Sequence, residues 1–187
     1  MQTWIALIRG INVGGHNKMP MATLTRILET VGCLSVRTYI QSGNAVFASP
    51  SKTKRNLGKL LGDAIETEFK FRPAILLLPT TDFYAAVANN PFCHVAPNPK
   101  SLHFFFLEST PVSPDMDGIA KLATSTERYK LIDSVFYLYA PDGIGRSKLA
   151  SSAERKLGEL ATARNYSTIQ KLFEMLGADL PRPSDSI

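Results

Sequence analysis

Trp4-Ile5-Ala6-Leu7-Ile8 is an unbroken apolar run of five residues. It is too short for a helix and lacks polar alternation, so it reads as a strand buried on both faces. Ala74 to Leu78, bracketed by Pro73 and Pro79, has the same character, and Leu102 to Leu107 is a further strand-like run. Strands of this kind commit the chain to layers that cover a sheet from two sides. The intervening sequence supplies helices. Behind Pro20, which suits a first helical turn, Met21, Leu24, Ile27, Leu28 and Val31 recur at helical spacing, and Gly32 is a natural stop. Leu57, Leu60, Leu61, Ala64, Ile65 and Phe69 form a second stripe. Residues 36–40 and 45–48 are strand-like and flank the polar turn Gln41-Ser42-Gly43-Asn44, which signals a hairpin. The order over residues 1–80 is βαββαβ, the ferredoxin-like unit.

The second half repeats the pattern. A short helix is expected over residues 82–88, a strand at Leu102 to Leu107, and a short helical segment at Ile119 to Ala123. A hairpin follows, Tyr129 to Ile132 and Val135 to Tyr139 around Asp133-Ser134, and then a helix from Lys148 to Leu160. This βαββα order is an incomplete or diverged copy, offset by about 100 residues, which marks a duplication rather than a solenoid. Asn89 to Lys100, with Pro91, Pro97 and Pro99, reads as a linker. A last helix is expected over residues 168–176, opened by the capping-box pattern Ser167-Thr168-Ile169-Gln170, and the tail from Asp179, with Pro181 and Pro183, is expected to fray. The expected fold is therefore α+β: a tandem duplication of two ferredoxin-like subdomains plus a C-terminal helix. Residues 1–80 form the first subdomain, and residues 81–187 the linker, the second subdomain and the helix. Helices cover one face of such a sheet, which leaves the other to the second copy or to another subunit.

Hydrophobic residues make up 44% and charged residues 20% of the 187, a globular composition that argues against disorder. The N-terminal residues carry no basic signal region, no apolar stretch approaches membrane-spanning length, and two cysteines cannot build a disulfide framework. A soluble, cytoplasmic protein with no membrane partner is the expectation. The net charge of +5 is unevenly distributed, because residues 1–60 hold eight Lys/Arg against one acid, Glu29. Such asymmetry points to an anionic partner, such as nucleic acid, nucleotide or an acidic protein, and equally fits a solvated basic face.

In a βαββαβ unit the first and third strands are antiparallel neighbours. The end of the first therefore lies beside the start of the third, so the loop from Arg9 to Lys18 and the turn from Gln41 to Asn44 meet at one sheet edge. That gathers Arg9, Asn12, Lys18, Gln41 and Asn44 around Gly14, Gly15 and Gly43, just before a helix N-terminus whose N–H groups favour anions. The arrangement suits a phosphate cradle, and it also suits plain turn chemistry. Gly143-Ile144-Gly145-Arg146-Ser147-Lys148-Leu149 is similar in kind: an anion site through Arg146 and Lys148, or a turn with Ser147 as the helix cap. Arg164 and Asn165 precede the last helix and either face the same groove or serve internally.

Other chemistries lack their signatures. No Gly-Lys-Ser/Thr ends the first glycine loop, and no dinucleotide fingerprint, Gly-x-Ser-x-Gly or paired metal spacing is present. No cofactor and no metal is therefore expected. His16, His94 and His103 are scattered. The third strand, Ala45-Val46-Phe47-Ala48, has too few aromatics for base stacking on a sheet of the RNA-recognition type.

Leu7 to Gly15, Asn17 to Met21, Arg37 to Asn44, Gly143 to Leu149 and Thr162 to Asn165 together resemble the bacterial family called domain of unknown function 1697. The resemblance implies a duplicated α+β fold and a set of polar motifs that form one site. That family has no established activity, so it supplies no catalytic residue. Tyr166 stands where the family commonly has Trp.

Three functions follow as expectations. The first is a binding protein for a phosphate-bearing ligand, with Arg9, Lys18, Arg146, Lys148 and Arg164 on phosphate oxygens and Asn12, Gln41, Asn44 and Asn165 as selectors. The second is an enzyme on a small phosphorylated metabolite. The third is an interaction or oligomerisation module without a ligand. A deep pocket favours the metabolite, and an open groove favours a polymer.

Overall fold

The computed structural model describes residues 1–94 and 98–177. Part of the proline-rich linker and the tail from Asp179 lie outside them. The chain divides into two compact units. One comprises Met1–Ala85 together with the end of the last helix from Lys171, and the other is Ala86–Gln170.

The first unit runs β1 (Gln2–Ile8), α1 (Met21–Thr30), β2 (Leu34–Tyr39), β3 (Asn44–Ser49), α2 (Lys54–Phe69), β4 (Ile75–Pro79). Its sheet has the order β2-β3-β1-β4 with every pair antiparallel, the ferredoxin-like arrangement read from the sequence. Trp4, Ala6 and Ile8 on one face of β1 pack with Leu24, Ile27 and Leu28 of α1 and Leu57, Leu61 and Ile65 of α2. The intervening Ile5 and Leu7 are buried as well. Both faces of β1 are thus withdrawn from water, which is why its sequence shows no alternation. Thr53 caps α2 by accepting the Asn56 N–H at 3.3 Å. Beyond β4, α3 (Thr80–Ala88) places Phe83 and Tyr84 against Phe173, with ring centroids 6.4 and 5.1 Å apart.

The second unit holds β5 (Leu102–Leu107), α4 (Met116–Ala120), β6 (Arg128–Ile132), β7 (Val135–Tyr139), α5 (Lys148–Leu157) and β8 (Ala161–Asn165), and leads into α6 (Tyr166–Met175). Its sheet order, β6-β7-β5-β8, again wholly antiparallel, repeats the first. The copy is diverged but topologically complete, because β8 supplies the fourth strand where the sequence suggested only a polar approach to the last helix. Phe105, Leu107, Phe136 and Leu138 pack with Ile119, Leu149, Ala153 and Leu157. On the opposite face Phe104, Phe106 and Tyr137 are buried. The Phe104 and Tyr166 rings stack 5.7 Å apart and nearly parallel. The last helix starts at Tyr166 rather than near Thr168, and its cap is Asn165, whose Oδ1 accepts the Thr168 N–H at 2.9 Å.

The Tyr137 hydroxyl donates to the Ala86 carbonyl at 2.7 Å, a buried bond. Burial, with Asp133 nearby, pushes the phenol above its ordinary pKa, so it remains a donor throughout the physiological range. Tyr137→Phe should therefore destabilise the protein by about 1–3 kcal/mol, the cost of a lost bond plus a stranded acceptor, read by urea denaturation.

Candidate functional site

In the first unit the register pairs Leu7 with Asn44, so the end of β1 and the start of β3 coincide. The Ile8 N–H donates to the Gly43 carbonyl at 2.7 Å, and the Arg9 N–H to the Ala74 carbonyl at 2.9 Å. The two polar segments meet at this edge, as the topology requires.

Asn12 joins them. Its Nδ2 donates to the Met19 carbonyl at 2.9 Å and to the Gln41 carbonyl at 2.8 Å, while its Oδ1 accepts the Met19 N–H at 2.8 Å. Both amide hydrogens are used, and the residue holds φ +56°, a conformation that Asn tolerates better than most. Asn17 adds a bond from its Nδ2 to the Gly10 carbonyl at 2.9 Å. Asn44 is buried and donates to the Tyr39 carbonyl at 3.1 Å and to Ser42 Oγ at 2.9 Å. Gly43 sits at φ +74°, where an added Cβ would come within 2.8 Å of both Ile8 Cβ and Ile11 Cδ1. Asn12 and Asn44, expected as ligand selectors, thus spend their amides shaping the edge. Arg9, Lys18 and Gln41 are the exposed members.

The loop ends in α1, which starts behind Pro20 with no side-chain cap and no acid in its first turn. Its first N–H groups and Lys18 put positive charge at one place. The wider basic cluster is partly neutralised by acids further along the unit. Arg26 pairs with Glu68 at 2.5 Å, Lys54 with Asp82 at 3.0 Å and Lys59 with Asp63 at 2.7 Å. Lys18, Arg37, Lys52 and Arg55 have no ion pair among the described residues.

In the second unit, Leu102 pairs with Tyr139 and His103 with Asn165. The loop after β7 and the end of β8 therefore flank the start of β5, and Arg146, Lys148, Arg164 and Asn165 belong to one end of that sheet. It is the opposite end of the repeat from the one that carries Arg9 to Asn44 in the first unit. Ser147 caps α5 by accepting the Ala150 N–H at 2.9 Å. Lys148 opens that helix, a cation at its positive end. Arg146 lines a cleft of about 70 Å³ with Glu127 and Asp142. Ligand pockets typically enclose roughly 300 Å³ or more, so this cleft is small for a nucleotide, and its two carboxylates make it mixed in charge. Arg164 is half-buried, and desolvation pushes its guanidinium down to about 10, still cationic at neutral pH.

Among the described residues no group of three or more His, Cys, Asp or Glu could hold a metal, and no helix is long and apolar enough to cross a membrane. Phe47, the aromatic of β3, is buried in the core.

These features define a duplicated ferredoxin-like α+β protein whose polar motifs collect at sheet ends. The family described as protein of unknown function (DUF1697) matches residues 1–137, and the chain belongs to that family. The matched span includes the Arg9–Asn44 edge and ends before the Gly143 and Arg164 motifs. A conserved bacterial protein, SP0830 from Streptococcus pneumoniae, is similar in structure, with a TM-score of 0.70 and 26% identity over 94% of this chain and 98% of that one. No curated protein matches the sequence.

Two outcomes follow. Asn12→Ala removes three hydrogen bonds and a residue suited to positive φ, and should cost about 2–3 kcal/mol in chemical denaturation. His103 is buried, and desolvation, opposed by a Ser101 backbone bond, lowers its pKa from 6.5. The unfolded chain thus takes up a proton below about pH 6.5 that the folded protein resists, so stability present above that pH falls as the pH drops below it. His103→Gln should flatten this slope in melts at pH 7.5 and 5.5.

Proposed function

We propose that the protein binds a phosphate-bearing ligand, a nucleotide or nucleic acid, at the edge formed by residues 9–20 and 40–44. The observation that carries this reading is the uncapped, acid-free start of α1, fed by a loop that Asn12 fixes in place and that exposes Arg9 and Lys18. Exposed backbone and charge favour an extended anion over an enclosed metabolite. Arg146 and Lys148 form a second basic group, in the second unit, that suits an anion of its own. Arg164 and Asn165 support that end of the sheet. Both cysteines are free, in keeping with a reducing, cytoplasmic setting.

Anisotropy of a labelled oligonucleotide at low and physiological salt tests the reading. Affinity should fall steeply with salt as contacted phosphates release counterions. Lys18→Ala and Arg9→Ala should each weaken binding by about 1.5–3 kcal/mol, the range for a charged hydrogen bond. Lys18→Ala should leave the melting temperature nearly unchanged, because an exposed cation contributes only about 0–1 kcal/mol to folding. Arg146→Ala reports whether the second group takes part. Absence of binding to oligonucleotides, nucleotides and sugar phosphates alike at low salt removes the proposal.

A further inference from the structure

The loop that follows β7 and the turn that precedes β6 border the cleft of about 70 Å³ in the second unit, and three charged residues line it. Glu127 is only 7% exposed. One of its carboxylate oxygens, Oε2, accepts the Thr124 N–H at 2.9 Å. The other, Oε1, has no hydrogen-bond partner among the described residues. Asp142 and Arg146 line the same cleft, and none of the three is in an ion pair among the described residues. Burying a charge is costly unless an opposite charge compensates it. The fold does not need a charge at Glu127, because the amide oxygen of a glutamine would accept the same N–H. Asp142 is held by Thr126, whose hydroxyl donates to its Oδ2 at 2.6 Å. The Arg146 N–H donates to the Gly143 carbonyl at 3.2 Å, which fixes the turn that carries it. Opposite charges thus share one small cleft without closing on each other.

Charges set apart in this way suit a molecule that carries both signs, and the volume limits its size. A water-sized group takes about 10–15 Å³ of such space, so the cleft has room for about five heavy atoms. The ammonium, Cα and carboxylate of an α-amino acid come to that number. We infer that this cleft binds the zwitterionic end of a free α-amino acid, its ammonium on Glu127 and Asp142 and its carboxylate on Arg146. Gly143 also lines the cleft, and an added Cβ there would meet nothing within 4 Å, so the ligand's own side chain has space to leave. Either end of a peptide offers one of the two charges only, and a phosphate offers the wrong sign to both carboxylates. The inference is independent of the edge in the first unit.

Isothermal titration calorimetry of the full chain at neutral pH tests this with glycine, alanine, ethylamine, acetate and inorganic phosphate, on wild type, Glu127→Gln and Arg146→Ala, each variant also melted. Glycine or alanine should bind wild type with a dissociation constant of about 1 mM or below, within the bound for so small a ligand. Ethylamine and acetate, with one charge each, should bind at least about tenfold more weakly. Glu127→Gln and Arg146→Ala should each weaken amino-acid binding about tenfold or more, the scale of one charged hydrogen bond. Glu127→Gln should melt at or above the wild-type temperature, since it removes an uncompensated buried charge and keeps the Thr124 bond. No binding of either amino acid overturns the inference. Acetate or phosphate binding as tightly as alanine reduces the cleft to an anion site, and ethylamine doing so reduces it to a cation site; either result overturns the zwitterion. A Glu127→Gln variant that melts well below wild type assigns the charge to the fold and counts against the inference, as does either variant binding alanine like wild type. None of these results bears on oligonucleotide binding at the first unit's edge.

Discussion

The carboxamide of Asn12 holds the most exposed part of the first unit in one conformation. It donates twice and accepts once, so that a loop studded with positive-φ residues and the hairpin turn of a different strand pair become one object. Without it, the segment from Arg9 to Lys18 would be tied to the sheet chiefly through its ends. The conformational entropy of some ten residues is large compared with any single contact, and a fixed loop meets a ligand without paying that cost again at binding. Gly43 performs the complementary task beneath, where the approach of Ile8 and Ile11 leaves no room for a side chain.

The duplication reproduced a scaffold and not a site. Both units have the same strand order and the same helix-covered core, yet the polar motifs of the first lie at the end of β1 and the start of β3, and those of the second at the end of β7 and the end of β8. Sheet ends are where this fold tolerates variation, since backbone pairing and side-chain burial constrain its middle. The second cluster also carries carboxylates, Glu127 and Asp142, beside Arg146, so its chemistry differs as well as its address.

Much of this was legible in the sequence, for physical reasons. Continuous apolar runs announced the central strands, and helical stripes with Pro20 and Gly32 announced α1. Antiparallel topology alone brought Arg9 and Asn44 to one edge. Strand β8 was hidden because Ala161-Thr162-Ala163-Arg164-Asn165 is short and has only alanine, a weak strand former, at its apolar positions, and pairing with β5 supplies what propensity does not. The inward use of Asn12 and Asn44 was one of two readings the sequence left open, since an asparagine that shapes a turn and one that grips a ligand have the same letters around them. The basic surplus of residues 1–60 looked larger than it is, because Asp63, Glu68 and Asp82 lie further along the chain and return only on folding.

The packing of Phe83 and Tyr84 against Phe173 sets an order of events during synthesis. The first sheet can form as soon as β4 has left the ribosome. The aromatic cover of α3 arrives 90 residues later, a delay of roughly 5–18 s at about 5–20 residues per second. For that interval the nascent first unit carries an aromatic patch whose partner has yet to be made, which is when a chaperone has most to offer it. Chains that stall before Phe173 keep the patch permanently and become natural clients for degradation.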